Sequence, residues 1–517
     1  MLIFTAALCF AFAGIFLVAG RLLVNRYRHR RQAKAWSCRP APHCPSGLFG
    51  IKAFLDLQRA QRKGRIVYRV RELHEKYGNT FELKVVGNPA VFTVEPENIK
   101  AVLATQFNDF GLGLRPKSFG PVLGDGIFTL DGTGWWHSRT LLRPQFTRDQ
   151  VSDLDQLDIH IQRLIDAFPK DRSAFDIQEL FFQLTLDSST DFLFGESVES
   201  LASASRKGIG KAEKQRFTDA WNYCMHVLAL RSRARSFYWL INPKKFREEK
   251  KVIHRFVDYY VDKALRYTAS SDGDIKAPND KGRYIFLEAL ARETRDRKAL
   301  RDQLLNILIA GRDTTSSLLS SVFYFLARHP AVFHNLRREI LDRFGEHGEK
   351  EEINFSSLKD LQYLRHVINE TLRLLPPVPS NARFAVKDTT LPVGGGPDGR
   401  SPVYIRKGQS VVYTVWTLHR RHDIWGADAD EFRPERWREF TPKGWEYIPF
   451  NGGPRICLGQ QYALTEASYV IVKLLQRFDT LENADPGPDL GSQPVLNHSL
   501  TMAHENGVNV RLYNSRG

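Results

Sequence analysis

The run RDQLLNILIAGRDTTSSLLSSVFYFLARHP, residues 301–330, constrains the fold more than any other stretch of the chain. Apolar residues flank its centre over a length that suits one long buried helix, and a helix apolar on most sides needs a large core around it. The centre, Ala310–Thr315, breaks the local rules: Gly311, Asp313, Thr314 and Thr315 are all poor helix-interior residues. A threonine there can bond back to the carbonyl one turn earlier and bend the helix. Two readings stay open: an N-cap that starts a second helix, or one helix distorted where a site needs it.

The remainder of the chain supports a core of that size. Its 517 residues are 42% hydrophobic and 26% charged, a globular balance rather than a disordered one. Thr80–Val86 and Ala90–Val94 flank Gly87-Asn88-Pro89 and predict a hairpin; Pro402–Ile405 and Ser410–Trp416, around the turn Arg406–Gln409, predict another. Helical periodicity dominates the stretch between them. The expected fold class is therefore mainly α with small β-sheets, one near each end. Ala202–Gln215 and Ser270–Arg283 are polar and read as exposed loops.

Residues 1–20 carry no charged side chain and are long enough to span a bilayer as a helix. Arg21, Arg26, Arg28, Arg30, Arg31 and Lys34 follow without an acidic residue between them. Charge after the apolar run, rather than before it, predicts an uncleaved transmembrane signal anchor with the rest of the chain in the cytosol. The expected organisation is an anchor at 1–20, a basic and proline-rich linker at 21–47, and one catalytic domain at 48–517. Arg231–Phe246 mixes basic and aromatic residues; it reads equally as a membrane-interface segment or an ordinary helix connection.

The net charge of +16 suits anionic lipid or an acidic protein partner. No nucleic-acid module is recognisable, so a nucleic-acid partner is not expected. The five cysteines are odd in number and scattered, which predicts free thiols. Cys38 and Cys44 flank His43, but a zinc site there lacks two further ligands.

Cys457 differs from the other four. It lies in FNGGPRICLG, Phe450–Gly459, just before a helical run. A thiolate needs a cation, a helix amino end or a metal. Gly452, Gly453 and Gly459 allow close approach of something bulky and flat, and Arg455 offers a cation to an anion on its rim. Haem, with its axial iron and propionates, meets all of these requirements. Three further patterns accompany the loop: Glu370-Thr371-Leu372-Arg373, FRPERW with Arg436, and GWWHSRTLLRP with Trp135 and Arg139 one turn apart. Each alone reads as an ion pair or simple packing.

Together, and in this order, they resemble the cytochrome P-450 family of haem-thiolate monooxygenases, over roughly Pro45 to the end. AGRDTT, SRTLLRPQF and FNGGPRICLGQQYALTEASY most resemble its fungal alkane- and fatty-acid-oxidising branch. The resemblance implies the helix-rich fold of that family, haem b with Cys457 as axial ligand and only metal ligand, and O2 as co-substrate. Phe450, Gly453, Arg455 and Gly459 would shape the haem loop, while Trp135, Arg139 and, less surely matched, Arg383 would bind propionates. Ala310 and Gly311 would line the oxygen-binding groove. Thr314 and Asp313 would be its catalytic pair, and Glu370, Arg373 and Arg436 a buried triad under the loop.

By the same resemblance Phe119, Ile127, Phe128, Ile307, Val378 and Leu500 would line the pocket for a hydrophobic small-molecule substrate. Electrons would come from NADPH through an external flavoprotein, NADPH-cytochrome P-450 reductase, with cytochrome b5 as a second candidate donor. The location implied is the endoplasmic-reticulum membrane, crossed once. Animal ω-hydroxylases of the family carry a glutamate where Ala310 stands, and it esterifies the haem; covalent attachment is not expected here. Terminal hydroxylation of long alkanes or fatty acids is the first expectation. A tailoring monooxygenase of fungal polyketide or other secondary metabolism is the alternative. Haem-thiolate peroxide rearrangement and a non-catalytic haem sensor make no use of the Asp313-Thr314 pair.

Overall fold

The computed structural model describes residues 2–146, 154–201, 211–270, 284–346, 349–489, 491 and 493–515; most side chains before residue 20 lie outside the described set. The chain forms two compact units, one of residues 1–56, 70–111 and 382–414, the other of 57–69, 112–381 and 415–517.

The first unit is built on a six-stranded sheet, whose order is His43–Cys44, Thr80–Val85, Asn88–Thr93, Ser410–Tyr413, Asn381–Ala385, Phe110–Gly111. The predicted hairpin at 80–94 forms, with Thr80 opposite Thr93 and Val85 opposite Asn88. The predicted hairpin at 402–416 does not. Ser401–Ile405 instead pairs with Thr389–Gly395, and Ser410–Tyr413 runs parallel to Asn88–Thr93. Ala385 explains the exchange. Its carbonyl accepts from Gly408 N–H at 2.7 Å and its N–H donates to the Gln409 carbonyl at 3.0 Å, so the chain leaving the turn is captured before it can fold back. Trp416 lies in a short helix, Val415–Leu418, beyond the strand.

The helix Leu2–Ala35 also belongs to this unit, and it carries the basic residues 21–34 within it. His29 Nδ1 bonds the Tyr404 hydroxyl at 3.0 Å. Among the described residues no helix is long and apolar enough to cross a membrane. The side chains on which the anchor reading rests fall mostly outside that set.

The second unit is helical. Its centre is the groove helix, Arg297–Leu326, capped by Asp296, whose carboxylate accepts from the N–H groups of Lys298 and Ala299. The helix runs unbroken through Ala310–Thr315, so the reading of a second helix starting there falls away. It packs against Ile177–Phe194, Lys244–Ser270, the ExxR helix Gln362–Leu374 and the cysteine helix Gln460–Arg477. Thirty residues of helix are held here by tertiary packing, not by propensity. Residues 211–215 belong to the helix Lys211–Arg233 rather than to a loop, while 202–210 and 271–283 lie outside the described residues.

Candidate functional site

The cysteine loop closes on itself before its helix begins. Cys457 N–H donates to the Phe450 carbonyl at 3.0 Å and Ile456 N–H to the Gly453 carbonyl at 3.0 Å. Asn451 (φ 66) and Gly453 (φ 67) take the left-handed conformations this tight path requires. The three glycines differ in purpose. A Cβ on Gly452 would strike the Trp445 ring at 2.4 Å, so protein packing demands that glycine. Gly459 is the N-cap of the cysteine helix, and a Cβ there would meet Phe146 at an ordinary 3.7 Å.

Cys457 is accessible by area, yet it is surrounded by protein, and burial raises its thiol above the usual range. Accessibility and burial coexist where a side chain lines an internal space. Against the burial, the Gly459 N–H and the Arg139 charge both favour the thiolate. The thiol of Cys224, also buried, is pushed up to about 12, chiefly by burial and then by the Glu249 charge, which Lys250 opposes only in part.

Two cations border the loop. Arg139 donates to the Ile456 carbonyl at 3.0 Å. Arg455 donates to the carbonyls of Ile127 (3.3 Å) and Leu130 (3.0 Å) and pairs with Asp131 at 2.7 Å. Its guanidinium lies 4.4 Å over the Trp135 ring, and Arg139 lies 6.0 Å from the same ring. Trp135 thus positions both cations. Asp131, not singled out from the sequence, ties Arg455 to the segment carrying Ile127 and Phe128. Arg383 belongs to the first unit, where it is buried in the strand Asn381–Ala385 and bonds the Ala382 carbonyl at 2.9 Å.

The groove helix presents one open face. From Asp302 to Leu326 every residue is buried except Ala310, Gly311 and Thr314, which share one side of the helix. Thr314 Oγ1 donates back to the Ala310 carbonyl at 2.6 Å. The Arg312 carbonyl receives two further hydroxyls, Thr185 at 2.9 Å and Ser316 at 2.9 Å. A Cβ on Gly311 would stand 3.0 Å from Ser189 Oγ, so the neighbouring helix packs tightly on this glycine. Asp313 is buried against Arg312 at 3.0 Å; burial raises its carboxyl pKa, and Arg312 offsets this only in part.

Thr315, one position on, faces the other way. It lies near Glu466 of the cysteine helix, close enough to favour the carboxylate but not in a formed hydrogen bond. Glu466 accepts from Ser188 Oγ at 2.5 Å, and burial pushes it up to about 7. Sequence reading missed this acid, although it stands four residues before Val470 on a buried helix face.

The expected triad forms completely. Arg373 grips Glu370 with both nitrogens at 2.8 Å and also donates to the carbonyls of His419, Ala429 and Glu431. Arg436 reaches Glu370 at 3.3 Å and Asp428 at 2.8 Å. Trp437 Nε1 and the Arg433 N–H complete the carboxylate's shell. His419 carries this order to the loop: burial, then Arg373, lowers its pKa to about 3, and its neutral Nε2 accepts from Ile448 N–H at 3.0 Å.

Of the expected pocket residues, Phe119, Ile127, Phe128, Ile307 and Leu500 fall in one apolar cluster, together with Leu458 beside the cysteine. Val378 is outside that cluster. Its neighbour Pro377 accepts from Met502 N–H at 2.9 Å, at the turn that holds Leu500.

The cytochrome P450 family pattern matches residues 42–505. The chain is 50% identical to cytochrome P450 52A5 of Candida maltosa over 90% of both chains. It is 48% identical to cytochrome P450 52A12 of Debaryomyces hansenii over 93% of both, and 47% identical to cytochrome P450 52A6 of Candida tropicalis over 95% of both. The donor set fits the group this family carries: a thiol with the Gly459 N–H and the Arg139 charge beside it, and a helix packed on the cysteine helix that presents a face of small residues and one hydroxyl. The chain belongs to the cytochrome P450 family, as a monooxygenase.

Proposed function

We propose that this chain hydroxylates the terminal carbon of long-chain alkanes or fatty acids, converting the C–H bond to C–OH while O2, two protons and two electrons yield water. The carrying observation is the open face of Ala310, Gly311 and Thr314, on a helix otherwise buried from Asp302 to Leu326 and packed on the cysteine helix. Haem b, bound through Cys457, supplies the oxygen activation.

The residues of the chain do the rest. Gly459 N–H and Arg139 favour the Cys457 thiolate against its burial, and Trp135, Arg139 and Arg455 are the candidates for the haem's acidic rim. Glu370, Arg373 and Arg436 fix the loop's geometry through His419. Thr314 donates its hydroxyl hydrogen bond to the Ala310 carbonyl, which leaves its oxygen lone pairs to accept from a proton-bearing partner in the groove. Asp313, held by Arg312 at rest, brings protons to that hydroxyl when the ion pair opens. The apolar side chains of Phe119, Ile127, Phe128, Ile307, Val378 and Leu500 hold an alkyl chain and exclude water.

Electrons come from NADPH through NADPH-cytochrome P-450 reductase. The segment 1–20 anchors the chain once in the endoplasmic-reticulum membrane, with the catalytic domain in the cytosol. Nothing in the comparisons favours the polyketide-tailoring alternative. The test is turnover of lauric acid and long alkanes by the holoenzyme with that reductase. Terminal alcohols are expected, and Thr314→Ala should release several times more hydrogen peroxide per alcohol, since positioned proton transfer is typically worth about 10²–10⁴ in rate. Turnover confined to polyketides, or unchanged coupling in Thr314→Ala, overturns the respective half of the reading.

A further inference from the structure

Aspartate is among the strongest helix N-caps, because its carboxylate can accept from the free N–H groups of the first turn. Asp131 is the N-cap residue of the helix Gly132–Leu142, in an extended conformation that suits the role (φ −116, ψ 170), yet its side chain does not cap that helix. Both carboxylate oxygens are engaged elsewhere. Oδ1 accepts from Arg455 at 2.7 Å and Oδ2 from Leu112 N–H at 2.8 Å. A local rule broken without local gain points to a task outside the helix.

The partner indicates the task. Arg455 lies two residues before Cys457 in the cysteine loop, donates to the carbonyls of Ile127 and Leu130, and stands 4.4 Å over the Trp135 ring. The helix that Asp131 begins carries both Trp135 and Arg139, and Arg139 donates to the Ile456 carbonyl. Asp131 therefore sits where the two elements that bring cations to the cysteine loop meet. The segment leading to it is fixed at its other end: Asp125 N–H donates to Asp302 at 2.9 Å and Phe128 N–H to Asn306 at 3.1 Å, both on the groove helix. A carboxylate held this firmly does two things to Arg455. It sets the direction of the guanidinium, and it cancels part of its charge.

We propose that Asp131 is a positioning residue for the haem: through Arg455 it sets how much positive charge reaches the haem's acidic rim, and it thereby holds the reduction potential down. This rests on the reading of Cys457 as haem ligand and Arg455 as a rim cation. Reduction adds one electron to the haem, so a nearby anion opposes it and a nearby cation favours it. Losing the Asp131 charge removes the first and releases the second, and both changes raise the potential. The Asp131 side chain is 42% exposed against 9% for Arg455, so solvent limits the effect to that of a part-exposed ion pair.

The experiment is spectroelectrochemical titration of the substrate-free holoenzyme. Asp131→Asn should raise the ferric–ferrous equilibrium constant roughly two- to fivefold, which is about 20–40 mV at about 59 mV per factor of ten. Asparagine and serine are both good N-caps, so Asp131→Ser should show the same rise if the asparagine variant folds poorly. Asp131→Glu keeps the charge and should stay near the parent. Asp125→Asn, on the same segment but paired with Lys298, should leave the potential where it is. A folded Asp131→Asn or Asp131→Ser with the parent's potential overturns the inference, as does an equal rise in Asp125→Asn. Arg455→Gln separates this inference from the reading beneath it. If that variant lowers the potential while Asp131→Asn changes nothing, the inference fails alone; if Arg455→Gln alters neither potential nor haem retention, the placing of Arg455 at the rim fails with it.

Discussion

Under the cysteine loop, Arg373 and Arg436 share Glu370, and every nitrogen and oxygen of the group points at a partner. At residues 231–235, Arg231 donates to four carbonyls and lies over the Tyr238 and Phe246 rings, Arg233 donates to the His498 carbonyl, and none of Arg231, Arg233 and Arg235 is paired with a carboxylate among the described residues. Both regions bury guanidinium groups within the same unit. One has settled its charge internally and can only hold shape. The other holds its charge on carbonyl dipoles and aromatic faces, with no carboxylate among the described residues to neutralise it. One region is a closed ion cluster, and the other depends on neutral partners.

The sharpest way to break this contrast is Glu370→Ala. It leaves two buried guanidinium groups without their carboxylate, and unfolding by denaturant should show a loss of about 3–5 kcal/mol. A loss below about 1 kcal/mol would mean that the backbone carbonyls alone carry the arginines.

Glu466 extends the comparison to acids, being a buried carboxyl held by Ser188 with no Lys or Arg paired to it among the described residues. Its folded pKa, about 7, lies above the ordinary 4.5, so the folded state holds the proton more tightly than the unfolded chain. That contribution is fully present below pH 4.5 and drains away as pH rises through about 7, by roughly 3 kcal/mol. Glu466→Gln cannot ionise and should flatten this part of the stability–pH curve. Parallel curves for parent and variant would show that Ser188 and Thr315 compensate the charge after all.

The smallest effect is expected at Arg235. Arg235→Met removes a charge that no described residue pairs, so the protein should be unchanged or gain up to about 1 kcal/mol in thermal unfolding. A clear loss there would place Arg235 with the scaffold and erase the contrast.

How much of this was legible in the chain depends on where each partner lies. The cysteine loop, the Ala310–Thr315 segment and the Glu370–Arg373 pair are local patterns, in which the residues that matter to one another lie within a few positions in the chain. Ser410–Tyr413 was assigned to the wrong partner because its true neighbours, Asn88–Thr93 and Asn381–Ala385, lie far off in sequence while a good turn lies adjacent. Arg231 read equally as part of a membrane-interface segment or of an ordinary helix connection, because basic and aromatic residues mix there. Burial separates them: Arg231 is enclosed, while Phe237, Trp239 and Leu240 are exposed. Asp131 and Glu466 gave no signal because a lone acid acquires meaning only from what folds against it.

The parallel pairing of Asn88–Thr93 with Ser410–Tyr413 also sets a timetable. On a ribosome the first of these strands emerges long before the second. At roughly 5–20 residues per second, the intervening stretch of about three hundred residues takes some 15–60 s to make. Throughout that interval the nascent hairpin carries an unpaired edge lined by Val91 and Phe92, residues destined for the interior. The second unit's helices are largely translated in the meantime, and they draw on nearer contacts. Assembly of this chain therefore proceeds from the middle outward, with its beginning kept waiting, and a chaperone that shields a strand edge has its longest task at residues 88–93.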